Sequence, residues 1–134
     1  MIRVLIVDDH EFFRQCLVQV VSTSEGLEAV GECTDGSEVV AAVRRLEPDV
    51  VVMDVRMAGM SGLDAAAALQ RDGATPRVIM LTSDTADSSR AAARASGVAG
   101  YLVKGGGPDL VVDAIRGVAA GGTAWPEESQ VPCR

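Results

Sequence analysis

The chain has 134 residues, of which 48% are hydrophobic and only 3% aromatic, and its formal net charge is −7 at pH 7. This length is typical of one domain, and the hydrophobic content predicts a globular fold and not a disordered chain. The acidic balance argues against nucleic-acid binding by this chain alone, because contacts to phosphates need clustered lysines and arginines.

The N-terminal segment begins with an apolar run that stops at two acids. This run is too short for a membrane span or a signal peptide. The three cysteines, Cys16, Cys33 and Cys133, lack the spacing of a metal site. Because Cys16 and Cys33 lie among apolar residues, we interpret them as small core residues and not as redox groups. We therefore expect a cytoplasmic protein.

The first strand and the first helix are predicted near the N-terminus. Residues 4–7 (VLIV) form an apolar run typical of a strand buried on both faces of a parallel sheet, and the run ends at Asp8 and Asp9. A helix is predicted over residues 11–21. Its apolar face comprises Phe13, Leu17, Val20 and Val21, widened by Phe12 and Cys16.

An edge strand and a second helix come next. Residues 27–33 alternate weakly between apolar and polar, as an edge strand does. Asp35 and Glu38 have the spacing of a helix capping box. The helix that follows carries Val39, Val43 and Leu46 on one face and must end before Pro48, because proline cannot extend it.

The central strand is predicted at residues 50–53 (VVVM), where three of four residues are β-branched. Asp54 ends this run, and turn-forming residues follow at 58–62. A carboxylate therefore lies at the C-terminal end of a central strand. In open α/β sheets this is the edge at which ligands bind.

The second half of the chain continues the alternation of helices and strands. Helices are predicted over residues 63–70, over residues 87–96, and from Pro108 to the glycine pair 121–122. Strands are predicted at residues 78–81, just before Thr82, and at residues 100–103, just before Lys104. The helix at 87–96 presents mainly alanines, which bury little apolar area, so we expect it to be the most mobile of the five.

Five strands alternating with five helices predict an α/β fold. We expect a five-stranded parallel sheet in the order 2-1-3-4-5, flavodoxin-like, with helices on both faces. Residues 1–121 would form this domain, and residues 122–134 would form a linker or C-terminal tail.

The residues that could take part in a reaction or bind a ligand lie at the ends of the strands. In this strand order, Asp8, Asp9 and Asp54 converge in one pocket, where their mutual repulsion favours a bound divalent cation. Oxygen ligands without a cysteine or histidine cluster favour magnesium over zinc. Lys104 and Thr82 approach the same pocket and can donate to phosphoryl oxygens. The set fits phosphoryl transfer to Asp54 as the nucleophile.

Four segments at these strand ends resemble the receiver domains of two-component response regulators, most closely those of the NarL/FixJ-type subgroup. The resemblance extends over residues 2–120, and its segments are VLIVDDH at 4–10, DVRMAGMSG at 54–62, LTS at 81–83 and GYLVK at 100–104. It implies that Asp54 accepts phosphate from a histidine kinase. It also implies that Mg²⁺ is bound by Asp9, Asp54 and the backbone carbonyl of Arg56, and by Asp8 through water.

The resemblance further assigns a switch. Thr82 and Lys104 would contact the phosphoryl group, and Tyr101 would rotate inward as Thr82 moves. Activation would favour a homodimer and control transcription through a helix-turn-helix domain, which the chain after Gly121 does not contain. We therefore expect a receiver taken from a DNA-binding regulator, although a stand-alone receiver remains an alternative.

Two departures from the family pattern leave alternatives open. Ala58 replaces a common proline, and three glycines follow Lys104. An atypical receiver, regulated by ligand or protein binding without phosphorylation, is therefore retained as an alternative. A Mg²⁺-dependent phosphatase is disfavoured because Arg56 stands where such enzymes need a second acid. We expect no enzyme activity beyond self-phosphorylation and autodephosphorylation. His10 is interpreted as a solvated neighbour of the pocket.

Overall fold

A computed structural model describes residues 1–74, 76–83 and 87–125, with only the backbone of residues 87–90. Its five strands form one parallel sheet in the order β2-β1-β3-β4-β5, which confirms the predicted fold class. A short 3₁₀ helix, Gly36–Glu38, precedes the second helix. The elements are β1 Ile2–Val7, α1 Glu11–Thr23, β2 Leu27–Cys33, α2 Val39–Leu46, β3 Val50–Asp54, α3 Gly62–Asp72, β4 Arg77–Thr82, α4 Asp87–Ala95, β5 Gly100–Val103 and α5 Pro108–Ala119.

The core lies on both faces of the sheet. Alternate strand residues point to opposite faces, so the apolar runs of β1, β3 and β4 supply both. On one face they pack against α1 and α5, and on the other against α2, α3 and α4. This arrangement leaves the C-terminal ends of the strands open as an edge on which a site can form.

The buried face predicted for α1 is wider than the face that is buried in the structure. Leu17 and Val21 are buried, but the Phe12 side chain is 83% exposed and Cys16 is exposed. The prediction that Phe12 and Cys16 extend the buried face is therefore wrong, because only one narrow side of α1 lies against the sheet. Cys33 is buried as expected, and this burial raises the pKa of its thiol to about 11. Cys133 lies outside the described residues.

The predicted capping pair serves two segments. The Asp35 carboxylate accepts a hydrogen bond from the Ser37 N–H, which caps the 3₁₀ helix. Asp35 also accepts one from the Met60 N–H at 3.0 Å, while Glu38 reaches back to the Thr34 N–H at 2.9 Å. Asp35 thereby holds the loop that follows β3.

The start of the predicted tail packs against the sheet. Ala124 forms a parallel bridge with Gly100, and Trp125 is only 5% exposed. A boundary after residue 121 stays a prediction, because most of the tail lies outside the described residues. In the part of the chain that the structure describes, no helix combines the length and apolar character needed to cross a bilayer.

We expect α4 to exchange its amide hydrogens faster than the other helices. Among residues 91–95 only Ala93 is buried, whereas α5 buries five side chains. Small buried area stabilises the closed helix less, so local opening should be more frequent. Hydrogen exchange followed by mass spectrometry measures this directly. Protection of α4 equal to that of α1 and α5 would contradict the expectation.

Candidate functional site

Three buried polar side chains mark the C-terminal edge of the sheet. Asp8 follows β1 and is 0% exposed, Asp54 ends β3 and is 3% exposed, and Thr82 ends β4 and is 1% exposed. Within the described residues, these are the buried residues with polar or charged side chains. Burying a carboxylate is costly unless it is paired, so two such groups at one edge indicate a functional requirement.

Lys104 joins the two buried carboxylates. Its Nζ lies 3.1 Å from Asp54 Oδ2 and 3.0 Å from Asp8 Oδ2, and 4.4 Å from the centroid of the Phe13 ring. Its backbone N–H donates to the Thr82 carbonyl at 2.7 Å, which fixes the start of the loop after β5. Lys104 therefore lies on the same side of the sheet as Asp54, as the sequence argument requires.

Asp9 connects the pocket to the loop after β3. Its Oδ2 accepts a hydrogen bond from the Ala58 N–H at 2.8 Å. The loop is thus held at Ala58 by a backbone N–H that a proline at this position would lack. Arg56 is held as well, because its N–H donates to Asp54 Oδ1 at 3.3 Å. Both contacts draw the loop toward the carboxylates.

His10 lies at the mouth of the pocket, closer than the sequence interpretation placed it. Its Nδ1 is 3.3 Å from an oxygen of Asp8, 3.3 Å from an oxygen of Asp9 and 3.8 Å from Asp54 Oδ2. The side chain is 69% exposed, so it is both solvated and in contact with the acids. Its backbone N–H also donates to Asp8 Oδ1 at 2.8 Å, so the same carboxylate oxygen contacts both the backbone and the ring of His10. The signal in the sequence was a histidine directly after two acids.

The surroundings of Asp54 raise the pKa of its carboxyl group. Burial raises the pKa of this carboxyl above its ordinary value of 3.8, and the nearby Asp8 adds to the rise. Lys104, by its hydrogen bond and its charge, lowers the pKa and offsets part of the effect. Asp54 is thus an ionisable group whose charge the folded protein only partly compensates.

The side chains around Asp54, whose negative charge is only partly compensated, could bind a divalent cation. One ligand atom each from Asp8, Asp9, His10 and Asp54 can be chosen so that all lie within 4.8 Å of one another. Asp8 Oδ2 and Asp9 Oδ1 are buried, and among the described residues neither accepts a well-aligned hydrogen bond. Their nearest cationic or ring nitrogens are Lys104 Nζ, 3.0 Å from Asp8 Oδ2, and His10 Nδ1, 3.3 Å from Asp9 Oδ1. Carboxylate oxygens available in this way are the ligands that Mg²⁺ prefers.

Thr82 and Tyr101 lie on neighbouring strands. Leu81 pairs with Asp54, so Thr82 is one residue beyond the register position of the acid. Tyr101 is buried next to Met80 on β4, and its hydroxyl has no hydrogen-bond partner within the described part of the chain. A buried hydroxyl without a partner is costly, so this side chain has a reason to rearrange.

Gly62 allows α3 to begin directly beneath the site. A Cβ at this position would overlap the backbone oxygen of Asp54 and lie 3.1 Å from its carbonyl carbon. We expect Gly62→Ala to displace the end of β3 and to lower the free energy of unfolding by about 1–3 kcal/mol. Urea unfolding followed by circular dichroism measures this.

Gly117 provides the matched control. It lies in α5, and an added Cβ would meet no atom within 4 Å. Gly117→Ala is therefore expected to raise the free energy of unfolding by up to about 1 kcal/mol, because alanine favours a helix more than glycine does. Equal shifts for the two variants would contradict the steric argument.

Comparison with known proteins gives a consistent result. The family model described as response regulator receiver domain matches residues 4–116. The nitrate/nitrite response regulator protein NarP of Escherichia coli (strain K12) is 40% identical over 125 residues, which are 93% of this chain and 58% of NarP. Response regulator UvrY of the same strain is 41% identical over 121 residues, which are 90% of this chain and 56% of UvrY. The chain thus spans little more than half the length of these relatives.

Solved structures show the same fold. The signal receiver domain of response regulator NarL from Mycobacterium tuberculosis has a TM-score of 0.86 at 32% identity, covering 90% of this chain and 97% of that one. A two-component response regulator of the LuxR family from Aurantimonas sp. SI85-9A1 has a TM-score of 0.87 at 31% identity, covering 96% and 92%.

Proposed function

Because the chain belongs to the response regulator receiver domain family of two-component systems, with NarL/FixJ-type relatives, we propose that Asp54 is its phosphoacceptor. The phosphoryl donor would be a phosphohistidine of a histidine kinase. Phosphorylation would change the conformation of the chain and control an output.

The observation that carries this proposal is the position of Lys104. Its ammonium lies 3.1 Å from Asp54 Oδ2 and 3.0 Å from Asp8 Oδ2, and the side chains of both acids are at most 4% exposed. A carboxylate oxygen of Asp54 attacks phosphorus as the bond from phosphorus to the histidine nitrogen breaks, and the released imidazole takes up a proton from solvent. The ammonium then stabilises the negative charge on the phosphoryl oxygens.

We propose Mg²⁺ as the cofactor. Asp8, Asp9 and Asp54 would hold it, with the backbone carbonyl of Arg56 as a further ligand. Bound there, the ion would neutralise charge on the phosphoryl oxygens. Asp9 would at the same time keep its bond to the Ala58 N–H, so the loop after β3 stays near the ion.

Thr82 and Tyr101 would form the conformational switch. The Thr82 hydroxyl would donate to the phosphoryl group from the strand next to Asp54. A movement of Thr82 would change the space beside Tyr101, whose hydroxyl has no hydrogen-bond partner among the residues that the structure describes. This link would carry the phosphorylation state from the pocket to the outer strand.

The output and the partners are proposed from the relatives. We propose that activation favours a homodimer and that transcription is controlled through a helix-turn-helix domain acting with this receiver in the cytoplasm. The chain would bind DNA only through such a domain. No catalytic turnover is proposed beyond self-phosphorylation from small donors and autodephosphorylation.

The test is incubation with acetyl phosphate and Mg²⁺, followed by intact-mass measurement. The expected result is a species carrying one phosphate, which disappears when the metal is removed with a chelator. Binding of other ligands without any phosphorylated species would favour an atypical receiver. Continuous turnover of a phosphorylated metabolite would indicate a phosphatase. Either result would overturn the proposal.

A further inference from the structure

The chain reverses direction after α5 through a glycine turn. The Gly122 N–H donates to the Gly117 carbonyl at 2.9 Å, and the Gly121 N–H donates to the Val118 carbonyl at 3.0 Å. Gly121 has φ +102°, which a residue with a Cβ rarely adopts. This pair of bonds is a Schellman turn, and it sends residues 123–125 back toward the sheet.

These three residues, here named the return segment, add to the outer edge of β5. The Ala124 N–H donates to the Ala99 carbonyl at 2.9 Å, and the Tyr101 N–H donates to the Ala124 carbonyl at 2.9 Å. Gly100 makes the approach possible, because a Cβ there would lie 3.3 Å from the Ala124 Cβ. The return segment therefore covers an edge that would otherwise present unpaired backbone groups.

Trp125 completes the contact. Its ring stacks on Tyr101 with the centroids 5.7 Å apart and the planes 9° from parallel. The Arg94 guanidinium of α4 lies 4.2 Å from the centroid of the Trp125 ring. The side chain thus joins three parts of the structure: the segment after α5, the outer strand and α4.

The same strand connects Trp125 to the acidic pocket. Tyr101 is three positions before Lys104, whose Nζ is bonded to Asp54. A phosphoryl group on Asp54 Oδ2 would lie between this oxygen and Nζ, which are now 3.1 Å apart, so the end of β5 must adjust. Stacked aromatic rings keep their contact only in a narrow range of positions. An adjustment that turns Tyr101 would separate it from Trp125.

Building on the proposed function, we propose that the return segment is an internal regulator of the receiver, bound to β5 through Trp125 before phosphorylation and released by it. Binding of the segment and phosphorylation of Asp54 then oppose each other, and linkage makes this opposition reciprocal. The released edge of β5 and residues 123–125 become available together. In this way the chain after α5 receives the signal directly from Tyr101.

Tryptophan fluorescence of the unchanged protein tests the release. Trp125 is the one tryptophan and Tyr101 the one tyrosine in the sequence, so the signal has a single source. With beryllium fluoride and Mg²⁺, a mimic of the phosphoryl group, the emission is expected to shift to longer wavelength as Trp125 becomes solvated. Binding is followed separately by ¹⁹F NMR. Bound beryllium fluoride with an unchanged emission spectrum would overturn the proposal.

The reciprocal effect needs variants. Trp125→Ala is expected to raise the affinity for beryllium fluoride at least about fivefold, the lower end of usual coupling strengths. Ala124→Pro, which removes one of the two backbone bonds of the segment, should act in the same direction. Trp125→Phe, which keeps an aromatic ring, and Phe12→Ala, which changes an exposed ring, should stay near the wild type. An unchanged or weaker affinity in both Trp125→Ala and Ala124→Pro would contradict the proposal.

The two proposals fail in different ways. If acetyl phosphate leaves the intact mass unchanged and beryllium fluoride does not bind, the assignment of Asp54 is wrong, and the inference about the return segment falls with it. Asp54 can also accept phosphate while the Trp125 emission does not shift and the variants bind beryllium fluoride with wild-type affinity. In that case only the regulatory role of the return segment is overturned.

Discussion

Asp54→Asn is expected to abolish phosphorylation. The amide keeps the shape of the side chain and can still accept a hydrogen bond from Lys104, but it lacks the nucleophilic oxygen that would form the bond to phosphorus. Intact-mass measurement after incubation with acetyl phosphate and Mg²⁺ should show one added phosphate on the wild type and none on the variant. A phosphorylated variant would show that another residue accepts the phosphate.

The same variant is expected to be more stable than the wild type near pH 7. Because the pKa of Asp54 is raised in the folded chain, its ionised form costs free energy of folding above that pKa. The cost falls as the pH decreases through the raised pKa, and it vanishes below the ordinary pKa of the unfolded chain. The asparagine variant lacks this cost at every pH.

Urea unfolding at several pH values, in the presence of a chelator, measures the difference. The free energy of unfolding of Asp54→Asn should exceed that of the wild type most near neutral pH, and this difference should shrink toward about pH 4. Asp109→Asn, on the exposed first turn of α5, is a control that should show no such difference. A wild type that is more stable than Asp54→Asn at neutral pH would mean that Lys104 compensates the buried charge fully.

Lys104→Met is expected to have the largest effect on stability. Lys104 is the one lysine in the sequence, and its ammonium lies between two carboxylates that are almost fully buried. Removing one partner of a buried ion pair typically costs about 3–5 kcal/mol, because the remaining charge stays uncompensated. Urea unfolding should show this loss. Mg²⁺ should recover part of it, since a bound cation would offset the same charges.

Two further variants test whether the effect of Lys104→Met comes from the buried ion pair. The double variant Asp54→Asn with Lys104→Met should be less destabilised than the two single changes added together, because one of the uncompensated charges is gone. Arg116→Met, which removes an exposed cation bonded to the Glu25 carbonyl, should change stability by less than about 0.5 kcal/mol. A loss of similar size in Lys104→Met and Arg116→Met would contradict a buried pair.

The strands could be predicted from the sequence because the apolar runs at residues 4–7, 50–53 and 78–81 are typical of a buried parallel sheet. Their order was expected because alternating strands and helices favour the flavodoxin-like arrangement. The convergence of Asp8, Asp54 and Lys104 then follows from topology. Parallel strands end at the same edge of a sheet, so residues just beyond neighbouring runs must meet there. For this reason the main geometry of the pocket could be predicted from the sequence.

The contacts that the sequence did not indicate all depend on local backbone geometry or long-range packing. The His10 ring contacts three acids from its place just before α1, and only the local backbone path and the ring's rotamer bring it there. Asp35 holds Met60, which is 25 positions away along the chain. Trp125 is buried as part of the three-residue return segment, and three residues are too few to show a periodic pattern in the sequence. Phe12 is exposed because the rotation of a helix against a sheet is settled by packing.

One ammonium shared between Asp8 and Asp54 has a consequence for engineering. The pocket carries more negative charge than the protein itself balances, so the feature that would attract a cation and a phosphoryl group also works against folding. A screen that selects only for heat resistance would therefore favour a neutral residue at one of these two positions, while the carboxylate at the other keeps Lys104 paired. Proteins that lost the charge of Asp54 in such a screen would survive at higher temperature and would lack the proposed phosphoacceptor.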